Sequence, residues 1–133
     1  MPNVAVTAEN LPNAAAEKFR YSFGVLSGTT LWISGQVALR EGAIVGIDDV
    51  STQARQVFEN LKTVVEAAGG SLHDIVETTT YVTDRSYLGP VNDARVQYLD
   101  GPVPPTSTLL VVAGLARPEF LLEISAIAVV GAE

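Results

Sequence analysis

The sequence predicts an α+β domain, with two helices on one face of a mixed sheet and elements in the order β-β-α-β-α-β-β. Three observations carry this. Residues Ser51 to Ala68 repeat their apolar positions at helical spacing. Ile75 to Thr83, Ser107 to Ala113 and Phe120 to Val130 are rich in β-branched and apolar residues. Tyr21 to Gln36 alternates on either side of the turn signal Ser27-Gly28-Thr29-Thr30.

Taken in order, residues 1 to 20 mix Pro2, Asn3, Asn10, Pro12 and Asn13 with small residues and read as a short edge segment followed by loop. Tyr21 to Gln36 reads as a β-hairpin. Val37 to Ile47 carries Gly42 and Gly46 around Ala43-Ile44-Val45, which reads as a loop with a small extra strand. In the first helix Ala54, Val57, Phe58, Leu61, Val64, Val65 and Ala68 share one face, and Arg55, Glu59, Lys62 and Glu66 the other. Asp48, Asp49 and Ser51 are candidate caps, and Gly69-Gly70 is the stop. Ile75 to Thr83 reads as a strand leading into a polar turn at Asp84-Arg85-Ser86. The second helix runs from Tyr87 to Leu99 with Leu88, Val91, Ala94, Arg95, Tyr98 and Leu99 on one side. Pro90 is tolerated in its first turn, and Asp100-Gly101-Pro102 breaks it. Ser107 to Ala113 and Phe120 to Val130 are nearly continuous apolar runs, so both of their faces are expected to be covered. One face would meet the helices, and the other would need a second copy of the chain.

Composition narrows the function classes. The 133 residues suit one domain, 1–133, and only 17% are charged while 47% are apolar. That charge content lies below the roughly 25% usual in soluble domains, which again points to an apolar surface shared with another subunit. Eight Lys and Arg against 15 Asp and Glu give a net charge of −7, too few cations for a nucleic-acid face or an anionic membrane surface. Without cysteine there is no disulfide, thiolate nucleophile or Cys-based metal site. Residues 1 to 20 hold no unbroken apolar stretch, and no window has the length of a membrane span, so a cytoplasmic protein is expected.

Few chemical constellations remain. His73 stands alone in a polar loop beside Asp74, with no second His or Cys to complete a zinc or triad geometry. No GxSxG elbow, P-loop or GxGxxG is present. Glu123 interrupts the apolar strand Leu121-Leu122-Glu123-Ile124. It is either a solvent-facing strand position or a desolvated carboxylate whose raised pKa suits acid–base work. Gly35 in Ser34-Gly35-Gln36 is either a turn residue or a place where backbone approaches a ligand. Asn92 on the second helix is surface or pocket, and Thr106, Ser107 and Thr108 are caps or pocket hydroxyls.

These residues resemble the YjgF/RidA family. The resemblance rests on Tyr21 to Gly24 (YSFG), Ile33 to Gln36 (ISGQ), the long run from Gln53 to Asp84, Asn92, Pro105 to Thr108 (PTST) and Leu122 to Val129 (LEISAIAV), in order and spacing across about Tyr21 to Val129. It implies a chorismate-mutase-like fold assembled as a homotrimer, with ligand clefts between subunits. It also implies hydrolysis of small imines or enamines without metal or organic cofactor. In the family's pocket, Tyr21, Ser34, Gly35, Asn92 and Glu123 match binding and catalytic positions. A Pro-Ala-Arg-Ser/Thr motif supplies an arginine that grips the substrate carboxylate.

Here Ser107 stands in the arginine's place, or Thr106 if the register shifts by one, and neither is charged. Losing such a fork costs several kcal/mol of binding, so 2-aminoacrylate and its like become poor candidates and a neutral or smaller polar group is favoured. Phe23 and Trp32 favour a more apolar ligand, although Trp32 also suits an interface or the core. Arg40 and Arg117 are either loop cations that compensate for the missing arginine or surface residues, and the surface reading is favoured because neither lies where the family uses a residue. The implied function is a cofactor-independent hydrolase or deaminase with Glu123 and Ser107 as its catalytic pair. Tyr21, Phe23, Trp32, Ser34, Gly35, Asn92, Thr106 and Thr108 would bind the small molecule. The alternatives are a non-catalytic, ligand-binding trimer and a pathway enzyme that deaminates, dehydrates or cyclises an aromatic intermediate. The ribonuclease label sometimes given to the family fits poorly with the charge and the single histidine.

Overall fold

The hairpin foreseen at Tyr21 to Gln36 lies towards one edge of a larger sheet. The computed structural model describes residues 2–8, 11 and 14–131. Among these, β1 (Val4–Val6), β2 (Gly24–Ser27), β3 (Thr30–Gln36), β6 (Ile75–Val82), β7 (Thr106–Val111) and β8 (Leu122–Val129) form one sheet in the order β1-β2-β3-β8-β6-β7. The remaining strands, β4 (Leu39–Arg40) and β5 (Ala43–Ile44), make a small separate hairpin where one extra strand was expected. All neighbours in the large sheet are antiparallel except β6 and β7. A parallel pair needs a crossover, and α3 (Leu88–Tyr98) supplies it.

The main helix, α2 (Val50–Ala67), starts where its cap dictates. The Asp49 carboxylate accepts from the Thr52 backbone N–H at 3.1 Å and from its hydroxyl at 2.8 Å. The helix stops before Gly69, whose φ of +91° is a left-handed conformation that glycine adopts without strain. Its apolar face, Ala54, Val57, Phe58, Leu61, Val64 and Val65, is fully buried among Leu31, Ile33, Leu122, Ile124, Ala126 and Ala128 of the sheet. Each of the larger side chains contributes about 1.5–3 kcal/mol by leaving water. Helix α3 adds Val91 and Ala94, and Phe58 stacks on Tyr98 with ring centres 5.3 Å apart.

Burial alternates strictly along β8, with Leu122, Ile124, Ala126 and Ala128 inside and Glu123, Ser125, Ile127 and Val129 half-exposed on the opposite face. Two features depart from expectation. The first 20 residues contain a short helix, α1 (Ala14–Phe19), while positions 9, 10, 12 and 13 of the expected loop lie outside the described residues. Strand β7 was expected to meet the helices with one face, yet every residue from Thr106 to Val111 is exposed. A continuous apolar run looks the same whether its cover comes from its own helices or from another molecule, so the sequence could not separate the two.

Candidate functional site

The antiparallel register between β3 and β8 breaks between Ile33 and Gln36, and Ser34 and Gly35 occupy the irregularity. The loose backbone is tied down locally. The Ser34 N–H donates to the Phe23 carbonyl at 2.8 Å, its hydroxyl donates to the Ser22 carbonyl, and Gln36 Nε2 returns to the Ser34 carbonyl at 3.0 Å. This leaves Gly35 facing Glu123 at contact distance. A Cβ on Gly35 would lie 2.6 Å from the Glu123 carboxyl carbon, so a side chain there would displace the carboxylate from its present position.

Glu123 is half-buried, and burial pushes its pKa above the ordinary carboxylate value. No cation or hydrogen-bond donor pairs with it among the described residues. A desolvated carboxylate without a partner holds its proton more tightly, which brings it towards the range useful for a general base. Glu123 is thus both a half-exposed position on the open face of the sheet and a partly desolvated carboxylate.

Beside this point lies a cleft of about 270 Å³ with an apolar wall of Leu11, Phe23, Val37 and Leu39. Tyr21 and Gly35 also line it, so Gly35 is shared between the cleft and the seat of Glu123. Tyr21 and Phe23 meet edge-on, their ring centres 6.1 Å apart. A second groove of about 320 Å³ lies beyond these rings, between β1 and α1, and touches neither Gly35 nor Glu123. Arg117 is exposed and its side chain also borders the cleft, whereas Arg40, likewise exposed, lines a separate polar hollow with Glu59 and Thr63. Trp32 is not in the core. It is 54% exposed on the open face, opposite Val25 and Ile127, and does not line the cleft.

The remaining expected site residues lie elsewhere. Asn92 is half-exposed on α3, and Thr106, Ser107 and Thr108 are exposed on β7, the outermost strand. Ser107 pairs with Thr78, while Glu123 pairs with Tyr81. Thr78 and Tyr81 are three residues apart on β6, so Ser107 and Glu123 are separated by a strand and belong to opposite faces. One chain does not bring this expected catalytic pair together.

Sequence reasoning passed over Arg95, which it treated as one residue of an amphipathic face. Its guanidinium donates to Thr78 Oγ1 at 2.9 Å and Thr80 Oγ1 at 2.8 Å, and its buried Nε has no partner. The available signal was its place three residues after Asn92, on the same side of the helix. His73 caps nothing catalytic. Its ring contacts Asp100 at 2.9 Å, not the adjacent Asp74, and both side chains are more than half exposed. Among the described residues no group of three His, Cys, Asp or Glu could hold a metal ion, and no helix is long and apolar enough to cross a membrane.

The fold and cleft define a class of small α+β proteins in which two helices back a sheet whose other face is open. Residues 11–130 match the family model described as Endoribonuclease L-PSP. The chain belongs to this family, the YjgF/RidA family its motifs resemble, and has its chorismate-mutase-like fold. A RutC family protein of Pyrococcus horikoshii is 34% identical over 125 residues, covering 92% of this chain and 94% of the relative. TdcF of E. coli, solved with bound serine, is 34% identical with a TM-score of 0.85, over 95% of this chain and 98% of that one. RidA of the Antarctic bacterium Psychrobacter is 32% identical with the same TM-score, over 96% and 99%.

Proposed function

We propose that this protein hydrolyses a small imine or enamine, without metal or organic cofactor, and that it works as a homotrimer with its sites between copies. The observation that carries the reading is Glu123, a half-buried carboxylate with no partner among the described residues, seated on Gly35 beside an apolar cleft. In the reaction the carboxylate takes a proton from water, and the oxygen adds to the imine carbon to give a carbinolamine. The proton passes to the departing nitrogen, the C–N bond breaks, and a carbonyl compound and ammonia leave. Tyr21, Phe23, Ser34 and Gly35 shape the Glu123 half of the site.

Two features support assembly. Leu109, Leu110 and Val111 lie exposed on an edge strand, an apolar patch of the kind that marks an interface. Thr106 to Thr108 stand on that edge strand, separated from Glu123 by β6, so a second copy would complete the site. The serine bound to TdcF supports a small polar ligand. With Ser107 in the position of the family's arginine, the ligand's group at that point is neutral, and 2-aminoacrylate is a poor substrate. Replacing Glu123 with Gln is expected to abolish turnover and leave the oligomer intact. Unchanged activity would remove Glu123 from the chemistry.

The uncharged Ser107 also favours a second reading, a trimer that binds a metabolite without consuming it. Incubation with a metabolite pool, followed by mass spectrometry for substrate loss, separates the two. Cleavage of RNA, which the family description names, is the weakest reading, with a net charge of −7 and one exposed histidine.

A further inference from the structure

We infer that Arg117 is the carboxylate-binding residue of the cleft lined by Tyr21 and Gly35, and that its ligand is a carboxylate carrying a ring-sized apolar group. The inference rests on the reading of this cleft as the ligand site, and names its charged contact and the ligand class.

Arg117 lies on the segment between β7 and β8, and its side chain forms part of the cleft wall with Phe23 and Leu39. Its charge is little used. Among the described residues it pairs only with Glu119, 3.7 Å from Nε, and with both side chains over 40% exposed such a pair contributes little. Among the described residues the terminal N–H groups make no hydrogen bond, so the two-pronged edge that matches a carboxylate is free.

The arginine is also held in place. Its guanidinium carbon is 5.6 Å from the centre of the Phe120 ring, and Phe120 is buried. The Phe120 N–H donates to the Arg117 carbonyl at 3.1 Å. On either side of Phe120 the fully buried Gln53 of α2 clamps the chain, donating to the Glu119 carbonyl at 2.9 Å and accepting from the Leu121 N–H at 3.0 Å. A cation presented from a braced turn loses less freedom on binding than one on a free loop.

The rest of the cleft fixes the ligand. At about 270 Å³, with Phe23 and Leu39 on its wall, it takes a small molecule with an apolar body. Arg117 is the one cation among the residues lining the cleft, so the carboxylate turns to it and the apolar body lies against Phe23 and Leu39.

Calorimetric titration of the whole protein with phenylacetate and with its neutral isostere phenylacetamide tests this. Phenylacetate is expected to bind at least tenfold more tightly than phenylacetamide. Arg117→Met should weaken phenylacetate by roughly 10- to 100-fold. Arg117→Lys should keep part of that affinity, and phenylacetamide should not distinguish these proteins. Glu123→Gln should still bind phenylacetate, so a loss confined to the Arg117 variants is independent of whether Glu123 performs hydrolysis. Equal phenylacetate affinity in the parent and Arg117→Met, or no preference for the acid over the amide, overturns the inference.

Discussion

The carboxylate of Glu123 rests on the bare backbone of Gly35, so closely that a methyl group there would come within 2.6 Å of the carboxyl carbon. Gly35→Ala therefore has to push Glu123 aside. Because the clashing atoms belong to a flexible, half-exposed side chain, the expected result is a small change in stability with a larger fractional loss of turnover than of ligand affinity. Urea unfolding and steady-state kinetics check the two parts separately. A variant with full activity would show that the position of Glu123 is not critical.

Burial also makes Glu123 a reporter of pH. Its carboxyl pKa is raised above 4.5 in the folded state, so the folded chain binds this proton more tightly than the unfolded chain. The associated stability is fully present below about pH 4.5 and is lost as pH rises through the raised value. Glu123→Gln removes that dependence. The variant should be the more stable protein at pH 7, with its advantage shrinking towards pH 4. Asp49, Asp84 and Asp100, whose pKa values are lowered by their hydrogen bonds, are common to both proteins and cancel in the comparison. Urea midpoints at the two pH values measure the difference, and an advantage that grows as pH falls would contradict the assignment.

Arg95 links α3 to β6 through the Thr78 and Thr80 hydroxyls, both fully buried. Arg95→Met leaves those hydroxyls without their charged donor and should cost about 1.5–3 kcal/mol. Lysine has one ammonium rather than a fork and should recover only part of the loss. Denaturant unfolding of the three proteins is the check.

The exposed strand β7 predicts self-association. Leu110→Lys places a charge in the apolar patch and should convert the proposed trimer to smaller species in analytical ultracentrifugation. Val96→Lys, at a position 73% exposed on α3, should leave the mass unchanged.

How legible these features were depended on whether the signal was local. Helix α2 was readable because its seven-residue apolar stripe, its Asp49 cap and Gly69 all act within the segment. The hairpin from Gly24 to Gln36 followed from alternation and the turn at Gly28. Of the site, Glu123 and Gly35 stood out as a charge and a glycine in apolar strands, yet their contact depends on the irregularity between Ile33 and Gln36 that no local pattern marks. Arg117 reached the cleft through Gln53, which braces its loop from 66 and 68 residues away in sequence. The exposure of β7 was hidden because hydrophobicity records that a surface is to be covered without recording by which molecule.

The central claim is that Glu123 activates water against an imine, and the rate of ammonia release tests it most directly. Imines would be generated in situ by oxidases from a panel of amines and amino acids, with 2-aminoacrylate included. The protein should accelerate hydrolysis of at least one imine with an apolar substituent well above the uncatalysed rate and act poorly on 2-aminoacrylate. Glu123→Gln should lower the faster rate by roughly 10²–10⁴-fold with the oligomer unchanged. Parental activity in the Glu123→Gln protein would contradict the account.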